Sequence, residues 1–283
     1  MQPDQPLVSV LMTAYNREKY ISEAIESVLS STFKNFELII VDDGSVDNTV
    51  KIARGYELKD SRIKVFTNEK NLGDYPNRNR AAGYARGKFL MYVDSDDSIL
   101  PKGIEYVIQQ FAKFPTAKFS LIYYHNDITH PTVLEPKESI YKHFFKNWYL
   151  NTGPGATIIL KDYFNSIGGF PEIYGPANDM YYNIKAASNS PILLLPFEYL
   201  NYRVHEGQEK NNKLAYLKSN YRYLNDVMQL PELPLSAKQK SCLLKKHARQ
   251  NIKSFLIHLK QGGNLMQIYK AFKMSGIHIK DLI

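Results

Sequence analysis

This chain of 283 residues is poor in several things, and each shortage removes a class of reading. It has one cysteine, Cys242, so no internal disulfide can form; that economy suits a reducing compartment. Long apolar runs are missing. The longest, such as "ILLLPF" from Ile192 to Phe197, fall far short of the roughly 20 residues that a membrane-crossing helix needs. The opening "MQPDQP" lacks a basic segment followed by an apolar one, so no secretory leader is expected and the chain reads as soluble and cytoplasmic. No glycine follows the first apolar run, where the sequence is "TAYNREKY", and this excludes a G-x-G-x-x-G dinucleotide site. Acids are nearly absent from the C-terminal stretch. From Ser236 onward there are ten lysines and arginines against Asp281 alone, so the net charge of +8 belongs to that tail and the remainder is close to neutral.

What is present is a regular alternation. "LVSVLMTAY", "FELIIVDDGS", "IKVFTNE" and "KFLMYVDSDD" are continuous apolar runs of strand length, separated by segments with helical spacing. In "YISEAIESVLSS", for instance, Ile21, Ala24, Ile25, Val28 and Leu29 fall on one helical face. Apolar strands without alternation, joined by helices, predict an α/β fold with a mainly parallel sheet covered on both faces. Asp47 is placed to cap the second helix, Pro76 to sit in the first turn of the third, and Gly87 to end it. Beyond Phe119 the pattern is mixed, with strands expected in "KFSLIYYHND", "GATIIL" and "PILLLPFEYLNYRVH". After Gly207 it turns helical and basic, in "AYLKSNYRYLNDVMQL" and "SAKQKSCLLKKHARQNIKSFLIHLKQ".

In open parallel sheets ligands bind beyond the carboxyl ends of the strands. Here those ends read "TAYN", "DDGS" and "DSDD". Asp94, Asp96 and Asp97 directly follow a buried strand, and at neutral pH three such carboxylates repel one another. The plain reading is a solvated turn in which Asp97 or Ser98 caps a helix starting near Pro101. The sharper one is a site for a hard cation, Mg²⁺ or Mn²⁺, which typically takes one or two carboxylates and completes its shell with substrate phosphates. Asp42 and Asp43 have a similar pair of readings: a turn in which Gly44 supplies positive φ, or acceptors for a base or ribose, with Thr13 and Tyr15 close by.

These segments together, from "VSVLMTAYNREKY…VDDGSVDNT" through "NLGDYPNRNRAAGYARGKFLMYVDSDD" to "GGFPEIYGPANDMYYNIKAA", resemble the family-2 glycosyltransferases with the GT-A fold, over roughly Val8 to His205. The resemblance implies a divalent-metal-dependent transferase that uses a nucleotide sugar and inverts the anomeric carbon. A UDP-sugar donor is implied, with a hexosyl or N-acetylhexosaminyl group moved to a glycan or lipid-linked hydroxyl in surface polysaccharide biosynthesis. It implies that Asp43 meets the base beside Thr13 and Tyr15, that "DSDD" is the DxD motif, with Asp96 toward ribose or metal and Asp94 or Asp97 toward metal, and that Arg78 faces the phosphates. Asp179 takes the catalytic-base position, with Asn178 where the family usually has Glu. His205 falls where some members place a His near the metal. The expected organisation is a catalytic domain over 1–207, with a nucleotide half (1–100) and an acceptor half (101–207), then a basic helical extension over 208–283.

Structural readings of the same residues stand beside these: Asp179 as a helix cap, Arg78 as a surface ion pair, His205 as an ordinary core histidine. The tail, where Leu243, Leu244, Phe255, Leu256 and Leu259 mix with lysines, suits either peripheral contact with an anionic membrane or packing on protein. Nucleic acid is not expected, since no recognised motif is present. Two rivals to a transferase are a sugar nucleotidyltransferase, which would want a glycine-rich first loop, and a binding module that has lost catalysis.

Overall fold

The computed structural model describes residues 5–123, 127–204 and 212–278. The chain divides into two compact units. One comprises Met1–Leu134, Thr152–Phe170 and Pro191–Arg203; the other Glu135–Asn151, Pro171–Ser190 and Val204–Ile283.

The first unit is built on an eight-stranded sheet. In chain order its elements are β1 (Val8–Ala14), α1 (Ile21–Leu29), β2 (Phe36–Asp42), α2 (Thr49–Glu57), β3 (Ile63–Thr67), α3 (Asp74–Tyr84), β4 (Phe89–Tyr92), β5 (Ser98–Ile99), α4 (Gly103–Lys113), β6 (Phe119–Ile122) and β7 (Thr132–Leu134). After α5 (Pro136–Phe145), which belongs to the other unit, come β8 (Thr157–Leu160) and α6 (Lys161–Ser166). Then, beyond α7 (Asn178–Asn189), come β9 (Ile192–Leu195) and β10 (Leu200–Asn201).

The strand order is β3-β2-β1-β4-β8-β6-β9-β7. The first four strands are parallel, as their unbroken apolar runs predict. Beyond β4 the sheet becomes mixed: β8 runs antiparallel to both β4 and β6, β9 is parallel to β6, and β7 closes the edge antiparallel to β9. β5 and β10 form a separate two-stranded ladder. The core lies around the sheet, where Val10, Met12, Leu38, Ile40, Met91 and Leu193 are completely buried beside Ile25 and Val28 of α1.

Several local expectations are met, and others are replaced by a different use of the same residue. Gly44 has φ 81° and Gly168, just past α6, φ 85°, both in the left-handed region glycine tolerates. Asp47 is not the N-cap of α2, a place Asn48 holds, but from the residue before it Asp47 accepts the Thr49 N–H at 2.9 Å. Gly87 is not a helix end, because α3 stops at Tyr84. Its backbone lies so close to β1 that an added Cβ would come 2.6 Å from the Ser9 nitrogen. Neither Asp97 nor Ser98 caps α4, which starts at Gly103 with Lys102 as its N-cap; Ser98 is spent in β5, and Asp97 has another partner, described below.

The second unit is helical: α5, α7, α8 (Lys213–Val227), α9 (Ala237–Lys260) and α10 (Leu265–Ser275). Ser236 and Gln239 form a reciprocal capping box at the start of α9. Leu217, Phe255, Ile268 and Ala271 pack α8, α9 and α10 together. Near α5, His143, Trp148, Leu243 and His247 line a cavity of about 280 Å³. His143 is buried and its Nδ1 accepts the Leu150 N–H at 3.2 Å. Burial, then the charge that His247 would carry, pushes His143 down to about 3. Burial and Lys246 push His247 down to about 4.

Both groups therefore stay neutral in the folded state at pH values where the unfolded chain, with histidines near 6.5, already binds protons. Their contribution to stability is present above about pH 6.5 and is lost as the pH falls toward 4. At about 1.4 kcal/mol per pH unit and per group over the two units below 6.5, the two together should cost on the order of 5 kcal/mol by pH 4.5. Denaturant midpoints across this range check it. His143→Asn keeps an acceptor near the Nδ1 position and is expected to flatten the acid limb; an unchanged limb refutes the assignment.

Candidate active site

The site forms where the carboxyl ends of β1, β2 and β4 meet. Its first layer is a set of loops tied to one another. Asn16 sits at φ 52°, a conformation Asn tolerates. From there its N–H donates to Ser45 Oγ at 2.8 Å and its Oδ1 accepts the Val46 N–H at 3.0 Å, lacing the loop after β1 to the loop after β2. Asp42 is consumed in shaping that second loop: Oδ1 accepts the N–H groups of Gly44 and Ser45, and Oδ2 accepts the Ser45 hydroxyl.

Asp43 is buried and holds a third loop. Its Oδ1 accepts from Asn68 Nδ2 at 2.8 Å and from the Leu72 N–H at 2.9 Å, and its Oδ2 accepts the Gly73 N–H at 2.9 Å. Its own N–H donates to the Ala14 carbonyl at 2.8 Å, which sets it beside Thr13 and Tyr15 in the chain end of β1. The Tyr15 ring is exposed. These three residues stand together at the carboxyl edge of the sheet, one side of the candidate site.

The other side is the acidic turn after β4. One carboxylate oxygen each from Asp94, Asp96 and Asp97 lie within 4.8 Å of one another. Positive charge is built in around them. Arg78, buried on α3, places Nη1 2.7 Å from Asp94 Oδ1 and Nε 2.8 Å from Asp74 Oδ1, with its guanidinium over the Tyr75 and Tyr92 rings at 6.0 and 5.8 Å. It is thus a buried bridge and not a surface pair; these acids keep it charged despite burial.

Arg17, which the sequence reading passed over, joins the two sides: Nη1 donates to the Tyr15 carbonyl and Nε to Asp96 Oδ2, both at 3.0 Å. Ser95 Oγ ties the turn to the Thr13 carbonyl at 2.7 Å. Asp97 Oδ1 accepts the Arg203 N–H at 2.9 Å, and Arg203 Nε donates to the Asp96 carbonyl. Burial, and then the charges of Asp94 and Asp96, push Asp97 up to about 7, against the pull of the Arg203 N–H and of Arg78.

This donor set fits a hard divalent cation. The ligands are all carboxylate oxygen, the three acids carry more charge than a plain turn needs, and Gly155 leaves space beside them. A Cβ on Gly155 would lie 4.0 Å from Asp94 Oδ2 and 3.3 Å from the Leu200 side chain. His205 lies outside the described residues.

Asp179 belongs to the second unit, in the first turn of α7. Its Oδ1 accepts the Met180 N–H at 2.6 Å. Tyr223 lies near it, and burial and then the Asp179 charge raise that phenol. Asn178, where the resembled family usually has Glu, is buried and its Oδ1 takes the Tyr174 N–H at 2.9 Å, so it closes the turn ahead of α7. The Tyr174 ring stacks on Tyr181, with centroids 4.9 Å apart, and its hydroxyl donates to Asp226 at 2.8 Å.

Comparison with known proteins bears on the family and the fold. The model of the family described as Glycosyl transferase family 2 matches residues 9–168. An Escherichia coli protein, the UDP-Glc:alpha-D-GlcNAc-diphosphoundecaprenol beta-1,3-glucosyltransferase WfgD, is 32% identical over 234 residues, covering 81% of this chain and 89% of that one. The crystal structure of S. aureus TarS 1-349 in complex with UDP-GlcNAc superposes with a TM-score of 0.70 at 26% identity, over 93% of this chain and 79% of that one. In a longer TarS crystal structure the chain spans 42% of the solved protein. The mannosyltransferase PcManGT from Pyrobaculum calidifontis, solved with GDP-Man and Mn²⁺, has a TM-score of 0.66 at 14% identity, covering 95% of this chain and 79% of that one, a likeness of fold.

Proposed function

We propose, from the premise that this chain belongs to glycosyl transferase family 2, that it moves a sugar from a UDP-sugar to a hydroxyl of a glycan or lipid-linked acceptor, with inversion and with the help of Mn²⁺ or Mg²⁺. The observation that carries the metal-diphosphate part is the triad Asp94, Asp96 and Asp97 at the end of β4, with buried Arg78 against it. The relatives' names support the rest: one uses UDP-Glc on a diphosphoundecaprenol-linked sugar, and another was solved with UDP-GlcNAc. Synthesis of a surface polysaccharide is the setting this favours.

Thr13, Tyr15 and Asp43 would receive the nucleoside. Asp43 has one partner on Oδ2 and so keeps acceptor capacity there for a base N–H. Asp94, Asp96 and Asp97 would hold the cation, with His205 as a further candidate ligand; when bound, that ion neutralises charge developing on the departing diphosphate. Arg78 and Arg17 add fixed positive charge on the same side. Asp179 accepts the proton of the acceptor hydroxyl as its oxygen bonds to the anomeric carbon. The bond from that carbon to the phosphate oxygen breaks, and the electron pair leaves with the diphosphate. One carboxylate base and a single displacement give inversion.

The test is transfer from UDP-, GDP- and dTDP-sugars with and without Mn²⁺, read beside thermal shifts. Activity is expected with a UDP-sugar, to vanish with chelator and to return with Mn²⁺. UDP with Mn²⁺ at about 100 times its dissociation constant should stabilise the protein by about 2.7 kcal/mol. Normal binding without turnover of any donor would show a binding module instead, and no binding at all would remove the nucleotide-sugar reading.

A further inference from the structure

Helix α10 has two apolar faces, and only one is needed to hold it in place. Ile268, Ala271 and Ser275 are buried, and Ile268 and Ala271 pack with Leu217 and Phe255. Leu265 and Tyr269, spaced i, i+4, are turned to solvent, with Phe272 at i+7 on the border, its ring edge-on to Phe255 at 5.5 Å. Met266 lies beside Leu265. Leu265, Met266 and Tyr269 are 67, 62 and 61% exposed. At the end of α9, Leu256 and Ile257 are exposed too. Of the seventeen large apolar side chains exposed among the described residues, eight lie between Leu256 and Met274. Exposed apolar residues scattered singly are ordinary, but a cluster of this kind marks an interaction surface.

Its charge narrows the choice of occupant. Lys253, Lys260, Lys270 and Lys273 are interleaved with these apolar residues, and no acid occurs between Ser236 and His278. A second copy docked through a two-fold axis would set lysine against lysine. An anionic bilayer surface meets both requirements at once: apolar side chains enter the acyl boundary while lysines reach anionic headgroups. No helix among the described residues is long and apolar enough to cross a membrane, so the contact is one of lying on the surface. We propose that the surface made by α10 and the end of α9 is a docking surface for anionic lipid bilayers, seated through Leu265, Met266 and Tyr269 and steered by the flanking lysines. This does not rest on the transferase reading and survives if that fails.

Flotation of the full chain with vesicles tests it. Binding to phosphatidylcholine vesicles with roughly 30 mol% phosphatidylglycerol should be at least about tenfold tighter than to phosphatidylcholine alone, and should weaken steeply between about 0.1 and 0.5 M salt. Leu265→Gln, Met266→Gln and Tyr269→Gln together should lower binding at least about tenfold with unchanged circular dichroism and melting, because these side chains support no core. Lys270→Gln with Lys273→Gln should cost on the order of 25-fold and reduce the salt dependence. Equal binding to both vesicle types, no binding to either, or full binding by the triple variant overturns the proposal. So does a dimer in light scattering that the triple variant dissociates, which would give the face to a second copy.

Discussion

Replacing Asp179 by Asn is expected to lower the turnover number for sugar transfer by about 10² to 10⁴, the usual worth of a positioned general base. The donor's binding constant should not move. The substitution is close to isosteric, and the Asn side-chain oxygen can still accept the Met180 N–H that Asp179 Oδ1 takes at 2.6 Å, so α7 keeps its first turn. What is lost is the proton acceptor. Steady-state transfer assays read beside UDP-sugar titrations separate the two effects. Activity within tenfold of the unaltered protein would remove Asp179 from the chemistry and leave it a helix-end residue.

Arg78→Met should destabilise the first unit markedly. Its guanidinium is buried between Asp74 and Asp94, and removing it leaves Asp94 facing Asp96 and Asp97 without that countercharge. Breaking a buried pair by removing one partner typically costs about 3–5 kcal/mol. Asp94 is partly open to solvent, which argues for the lower end, about 3 kcal/mol, or on the order of 6–12 °C in melting temperature. Asp74→Asn touches a half-exposed partner of the same arginine and should cost under about 1 kcal/mol. If Asp94 helps to hold a cation, Mn²⁺ should recover part of the Arg78→Met loss, because the ion replaces the missing positive charge. Melting curves of both variants with and without Mn²⁺ decide the matter. Equal stability of the two variants would show that the Arg78–Asp94 contact carries no weight.

The parallel half of the sheet was readable because buried strands are written as continuous apolar runs, and the carboxylates at their ends stand out against them. Long-range pairings leave no such mark. Nothing in "GATIIL" says that β8 runs antiparallel between β4 and β6, and neither α5 nor β7 has a periodic pattern long enough to register. The same limit applies within the site. Three acids in "DSDD" were visible, whereas which hydrogen bonds each had already spent was not: Asp97 takes a backbone N–H from Arg203, 106 residues away. Arg17 could have been found, since it directly follows "TAYN" and a cluster of carboxylates calls for nearby cations. Gly87 could not, because its reason is the backbone of β1, far off in the chain.

The interleaving of the two units bears on how the chain is made. β6 is completely synthesised at Ile122, and all four of its residues end up buried. Its neighbours in the sheet are β8, starting at Thr157, and β9, ending at Leu195. At roughly 5–20 residues per second, β6 is completed seconds ahead of either partner strand and emerges from the ribosome that much earlier than they do. A nascent chain stalled or cut in that interval presents an apolar strand with both edges open, the form most inclined to pair with the wrong neighbour. Chaperone occupancy on translating ribosomes should therefore peak while the stretch from Ile122 to Leu195 is being made, and premature stop codons there should yield aggregates in place of a smaller working enzyme.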